Sequence, residues 1–298
     1  MKKRICLFLA AVMAAVMLTG CGGGGKKIVI ASKQFTENIL LSEMYAQLVE
    51  NRTDIKVERK QNLGGTSVVF PAMEKGEVDM YVEYTGTAYN EILKLDAAAA
   101  ETSDAVYQLS KDKLNEQYGI TMFNSIGINN TFALAMLTAK AEELGVTTMS
   151  DLASVAPDLR FGANHLFYTR EKDGYDAMTA LYGLNFKEAL RMDTSLLYDA
   201  VSQGQLDVMV VYATDSLLIK YDMTILKDDK ELFPAYHGTP ICRNDTLEKY
   251  PELKDVFDLL AGKFDDALMQ ALNYKIDSED QTPEEVAKAY LTEQGLLK

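Results

Sequence analysis

The sequence predicts an α/β protein of two lobes, each a mainly parallel sheet flanked by helices, and three observations predict it. Strand-like and helix-like segments alternate along most of the 298 residues, the pattern of parallel strands joined by helical crossovers. Residues 66–84, TSVVFPAMEKGEVDMYVEY, are echoed 128 positions later by residues 194–212, TSLLYDAVSQGQLDVMVVY, with seven of nineteen positions identical. After Asn244 the chain turns helical to its end, as expected of a tail that packs back on one lobe.

Short apolar or β-branched runs predict strands over Ile28–Ala31, Ile55–Glu58, Val78–Glu83, Thr131–Met136, Leu159–Gly162, Val208–Tyr212 and Met223–Leu226. Helical periodicity lies between them, over Thr36–Asn51, Thr66–Lys75, Glu101–Tyr118, Tyr175–Tyr182, Ser195–Gln203 and Thr214–Ile219. The tail reads as helices over Thr246–Tyr250, Pro251–Ala261, Phe264–Leu272 and Thr282–Glu293, with Pro283 well placed in a first turn. Six prolines and no long Ser/Pro stretch leave no extended linker, so short crossings must join the lobes. The expected division is residues 28–130 plus 237–298 in one lobe and 131–236 in the other, with two strands crossing between them.

Each copy of the echo reads as a Thr-Ser helix start, an amphipathic helix, a glycine stop and a short strand running into a tyrosine. Ligands of open α/β sheets bind beyond the carboxyl ends of the strands. Tyr84 and Tyr212, at equivalent strand ends, therefore predict one cleft with an aromatic residue on each wall.

The chain opens with Lys2, Lys3 and Arg4 ahead of a short apolar run, which reads as a secretory signal over residues 1–20, too short for a comfortable membrane span. Leu18-Thr19-Gly20-Cys21 resembles the bacterial lipobox, so Cys21 is the expected site of lipid attachment. Residues 21–27 would then be a flexible tether holding the protein outside the cytoplasm at the membrane face. Loss of residues 1–20 removes three positive charges and no negative ones, taking the net charge from −14 to −17. Such an acidic surface excludes nucleic acid as a partner. With Cys21 lipidated, Cys242 has no partner and no disulfide is expected; a small buried hydrophobe is its ordinary role.

Five segments and one further residue carry a family resemblance. ASKQFTENILLSEMYAQLVE, LGGTSVVFPAMEKGEVDMYVEYTGT, NNTFALAM, TREKDGY, VVYATD and the region of Tyr236 resemble the osmoprotectant binding proteins of ABC importers, which capture glycine betaine, choline or carnitine. The resemblance runs in order through nearly all of the chain after residue 20. It implies a type II periplasmic-binding-protein-like fold, a small quaternary ammonium ligand, ABC permease subunits as partners, action as a monomer, and no cofactor. It also implies a box of four aromatic rings, here Tyr84, Phe132, Tyr212 and Tyr236. A trimethylammonium group has no N–H to donate, so only charge and ring faces can hold it, each ring contributing about 0.5–2 kcal/mol.

The resemblance extends to further positions, and some depart from the family pattern. Phe132 stands where tyrosine is usual, and Asn130 where some relatives carry aspartate. Arg170 falls where relatives use arginine to tie the closed lobes or meet a ligand carboxylate, an exposed surface charge being the alternative. Ser67 falls where choline-selective relatives have aspartate, which favours a betaine or a broad range of ligands; helix capping is its other role. Gln34 resembles a cleft-lining position, or is a surface glutamine. Larger trimethylated solutes, including carnitine and ergothioneine, stay open.

Catalysis is not expected. There are two histidines, His165 and His237, and neither an H-E-x-x-H nor a G-x-S-x-G motif occurs. A metal site is equally unexpected with so few His and Cys residues.

Overall fold

A computed structural model describes residues 25–95 and 102–297; residues 1–20, expected from the sequence to be a secretory signal, and Cys21 lie outside the described residues. Among the described residues ten strands form two sheets of five. The first contains β1 (Lys27–Ala31), β2 (Lys56–Lys60), β3 (Met80–Tyr84), β4 (Ile120–Met122) and β10 (Gly238–Arg243) in the order β2-β1-β3-β10-β4. The second contains β5 (Phe132–Leu137), β6 (Arg160–Ala163), β7 (Glu188–Arg191), β8 (Val208–Tyr212) and β9 (Met223–Leu226) in the order β7-β6-β8-β5-β9.

The two orders are the same topology. In each sheet the first three strands run parallel and the fourth, β10 or β5, pairs antiparallel with both neighbours. That fourth strand arrives from the chain segment that builds the other sheet. Each lobe is therefore a mixed sheet, mainly parallel, flanked by helices.

The echo occupies equivalent places in this topology. Helix Thr66–Glu74 leads into β3, and helix Thr194–Ser202 leads into β8. The glycines that stop the helices, Gly76 and Gly204, have φ of 77° and 67°, left-handed values that a side chain resists. The aspartates also match. Asp79 donates its N–H to Val29 O and accepts Val29 N–H on Oδ2 at 2.7 Å. Asp207 does the same with Arg160, accepting its N–H on Oδ2 at 2.8 Å.

Both sheets are covered on both faces. In the first, Ile28, Ile30, Met80 and Val82 face one apolar layer, while Ala31, Tyr81, Met122 and Ile241 face another. In the second, Phe132, Leu134, Met136, Val208 and Val210 alternate with Ala133, Ala135, Met209 and Val211. This explains why these strands read as continuous apolar runs. Thr282 caps the last helix, Pro283–Glu293, in a reciprocal capping box with Glu285, and Pro283 sits at its start. Among the described residues no helix is long and apolar enough to cross a membrane.

Three strands and several short helical segments, among them Thr138–Leu144 and Thr85–Thr87 running into Ala88–Ile92, go beyond what the sequence pattern predicts. β7 is a largely exposed edge strand whose EALR text reads as helix-forming. β4 has only three residues. Helix Thr138–Leu144 follows β5 without a break in the chain pattern. β10 carries Pro240 in a central strand, where a missing N–H ordinarily argues against strand. Pro240 O accepts Phe123 N–H at 2.9 Å, one residue past the end of β4. The proline nitrogen thus faces the side where β4 has ended. Phe123 O, the acceptor it would have served, takes the Tyr107 hydroxyl at 3.0 Å instead.

Candidate functional site

The site begins at the carboxyl ends of β3 and β8, where Tyr84 and Tyr212 stand. Phe132, the first residue of β5, pairs in register with Tyr212, and their rings stack with centroids 5.0 Å apart at 25°. Tyr236 precedes β10, its N–H held by Asn129 Oδ1 at 2.7 Å. These four rings line a single cavity of about 530 Å³. Asn130 and Arg170 line it too. Ser67 and Gln34 are both exposed and are not among its lining residues.

Two of the rings carry a cation of the protein's own. Lys33 Nζ stands 5.0 Å from the Tyr84 ring centroid, and Arg170 Cζ stands 5.0 Å from that of Phe132. Both cations are anchored from elsewhere. Lys33 is ion-paired with Glu83, a buried carboxylate that also accepts hydrogen bonds from the hydroxyls of Thr66 and Tyr81. Arg170 is bidentate on Asp173, with Nε to Oδ1 at 2.7 Å. That pairing raises the guanidinium further above its ordinary range, and Arg170 reaches neither Asn130 nor a second carboxylate.

Behind the Tyr84 ring lies Glu37, in the first turn of helix Thr36–Arg52 and only 2% exposed. Its Oε1 accepts the Tyr84 hydroxyl at 2.6 Å and Asn130 Nδ2 at 3.0 Å, and the Thr214 hydroxyl also bonds this carboxylate. Burial pushes the Glu37 carboxyl above its ordinary value, and the bonds from Thr214, Tyr84 and Asn130 oppose the rise. Burial likewise pushes the Tyr84 phenol well up, with the Glu37 charge adding to it. The node joins the two halves of the molecule, since Thr214 lies two residues past the end of β8 while Glu37 lies in the helix after β1.

The same segment after β8 is tied to helix Asp266–Asp277. Gln270 donates to Ala213 O at 2.6 Å, and Asn273 Nδ2 to Thr214 O at 3.1 Å. Asp277 accepts the Thr36 and Ser216 hydroxyls, each at 2.6 Å. Glu37, Thr87, Thr214, Asn273 and Asp277 all line the cavity, and sequence reasoning singles out none of them. Glu37 is visible in the sequence only as an acid at a helix start, where a carboxylate complements the helix dipole without any ligand. Asn273 and Asp277 come from the helical tail, whose text gives no sign of which face meets the cleft.

An α/β molecule of two topologically equivalent sheets, with a ring-lined cavity at equivalent strand ends, has the architecture of a solute-binding protein. The chain belongs to the family described as the substrate binding domain of ABC-type glycine betaine transport systems, whose model matches residues 26–293. Members of this family bind substrates for ABC transporters and are not enzymes. The chain is 36% identical to a glycine-betaine-binding protein of Pseudomonas aeruginosa, across 99% of this chain and 95% of that one. It is 32% identical to the ergothioneine transport permease/ergothioneine binding protein EgtU of Helicobacter pylori, across 91% of this chain but 48% of that protein. A solved structure titled as a glycine betaine/carnitine/choline ABC transporter superposes with a TM-score of 0.86 at 30% identity, covering 91% of this chain and all of that one.

Proposed function

We propose that this protein is the extracytoplasmic, lipid-anchored binding component of an ABC importer, and that it captures a quaternary ammonium solute between its lobes. Residues 28–130 with 237–298 form one lobe and residues 131–236 the other. Cys21 carries the lipid, and the monomer delivers its load to permease subunits. Glycine betaine, carnitine and choline are the candidate solutes. The observation that carries the reading is the convergence of Tyr84, Phe132, Tyr212 and Tyr236, from both sheets, on one cavity. Four ring faces are the chemistry that a cation without N–H donors requires.

In this mechanism the trimethylammonium head enters among the rings and the lobes close on it. Closure is favoured only by contacts made to both walls together. The polar node of Glu37, Asn130 and Thr214 supplies such a cross-lobe connection. Ser67, in the first turn of helix Thr66–Glu74, and Gln34, in the turn after β1, lie outside the cavity lining and would serve the ligand only through movement of those segments.

A second reading, a larger trimethylated zwitterion such as ergothioneine, is favoured by the cavity volume of about 530 Å³, which exceeds the needs of a molecule as small as glycine betaine. Calorimetric titration of the purified protein with glycine betaine, choline, carnitine and ergothioneine tests both. Saturable binding of at least one is expected. A folded protein silent to all four would send the search to an unrelated solute.

A further inference from the structure

Hydrogen-bond accounting in the cavity leaves two acceptors over. Glu37 Oε2 and Asn273 Oδ1 are buried and bond to nothing, although both residues line the cavity and are 2% and 4% exposed. The donors nearby are already committed. Asn130 Nδ2 serves Glu37 Oε1 and Thr214 Oγ1, while Asn273 Nδ2 serves Thr214 O. The Tyr84 hydroxyl serves Glu37 Oε1, and the Thr214 hydroxyl, which accepts Asn130 Nδ2, is turned to the same carboxylate without a hydrogen bond to Oε2.

The charges lean the same way. The two cations lining the cavity, Lys33 and Arg170, are paired with Glu83 and Asp173. Glu37, Glu91, Asp215 and Asp277 also line it, and among the described residues none of these carboxylates has an ion-pair partner. Asp277 is nonetheless satisfied by two hydroxyls, and Asp215 by the Leu217 N–H at 3.0 Å. Glu37 alone among them combines near-complete burial with an orphan oxygen. A buried acceptor left unmade is unfavourable, and a bound group that completes it recovers that loss.

We propose that Glu37 and Asn273 form a donor-recognition subsite, so that the cavity selects a quaternary ammonium solute bearing an O–H or N–H group over one bearing none. The inference rests on the quaternary ammonium reading and narrows it. Choline and carnitine offer a hydroxyl, and ergothioneine offers azole N–H groups. Glycine betaine offers neither, so the cage could hold its cation while the two acceptors stayed unmet. Sites built around a polar group of the ligand discriminate strongly against analogues that lack it, because the loss falls on groups already buried.

The test compares the four solutes by calorimetry on the wild-type protein and on Glu37→Gln and Asn273→Leu. With Oε1 still serving Tyr84 and Asn130, Glu37→Gln would set an amide N–H₂ where the orphan oxygen lies, turning acceptor into donor. The tightest wild-type ligand is expected to carry a donor and to exceed glycine betaine by about tenfold or more. That ratio is expected to fall towards one in both variants, with thermal melting showing that each is folded. Glycine betaine binding as tightly as the best donor-bearing solute would overturn the subsite, as would a preference unchanged in both variants. Binding of none of the four would instead overturn the quaternary ammonium reading, and the subsite with it.

Discussion

The Tyr236 ring lies directly on the backbone of Gly86: a Cβ at Gly86 would meet Tyr236 Cε1 at 2.7 Å and Cδ1 at 2.8 Å. Real side chains do not approach so closely, so the ring occupies space that only glycine leaves open. The contact is reinforced alongside. Thr85 N–H donates to His237 O at 3.1 Å, and His237 N–H donates to Thr85 Oγ1 at 3.0 Å. The turn after β3 thus sets the position of the ring before β10.

Gly86→Ala is therefore expected to displace Tyr236 and weaken solute binding about as much as Tyr236→Ala does, a loss of about 1 kcal/mol or more. Titration of the two variants with the tightest solute checks this. Wild-type affinity in Gly86→Ala would mean that the ring can move aside without leaving the cage.

Tyr84→Ala and Tyr212→Ala are each expected to weaken binding by about 1 kcal/mol or more while leaving the protein folded. Their structural side effects should differ. Tyr84 is 4% exposed and bonded to Glu37, whereas Tyr212 is 43% exposed. Tyr84→Phe removes that bond but keeps the ring face, so it separates the two roles of Tyr84. Unchanged affinity in both alanine variants, measured by calorimetry, would remove these residues from the site.

The architecture is legible in the text because burial on both faces makes β3 and β8 continuous apolar runs, and because the echo at Thr66–Tyr84 and Thr194–Tyr212 preserves the residues that shape a helix, a stop and a strand end. Strands whose identity comes from tertiary context are not legible. β10 hides a proline that is tolerated only because β4 ends beside it, and β7 forms as an edge against β6 despite its helix-forming text. The aromatic positions can be read because their chemistry is distinctive. Glu37, Thr214 and Asn273 cannot, since an acid at a helix start, a threonine just past a strand and an asparagine in a helical tail are ordinary surface text until the fold buries them.

Asp79 and Asp207 show what the repeat preserves for stability. Each carboxylate accepts a backbone N–H of the neighbouring parallel strand, from Val29 in β1 or Arg160 in β6, while its own N–H bonds back to the same residue. Asp79→Ala and Asp207→Ala each leave that N–H without its acceptor, an expected loss of about 1–3 kcal/mol. The two sites lie in different sheets, so the double variant should lose close to the sum. Urea unfolding of the three variants measures this. A double variant no less stable than either single one would show the sheets unfolding as independent units.

Glu37 makes stability depend on pH in an unusual direction for a carboxylate. Its folded-state value is raised, chiefly by burial, so the folded protein holds the proton more tightly than the unfolded chain. The contribution of this group is then fully present below the unfolded value and is lost as pH rises through the folded one. Glu37→Gln cannot titrate there. The melting temperature of the wild-type protein should therefore fall relative to that of Glu37→Gln as pH climbs from the ordinary carboxylate range towards neutrality. Comparing the variants at each pH cancels the titration of every other acid they share. A constant difference across that range would mean that the bonds from Thr214, Tyr84 and Asn130 offset the burial of this carboxylate completely, leaving it to titrate as it does in the unfolded chain.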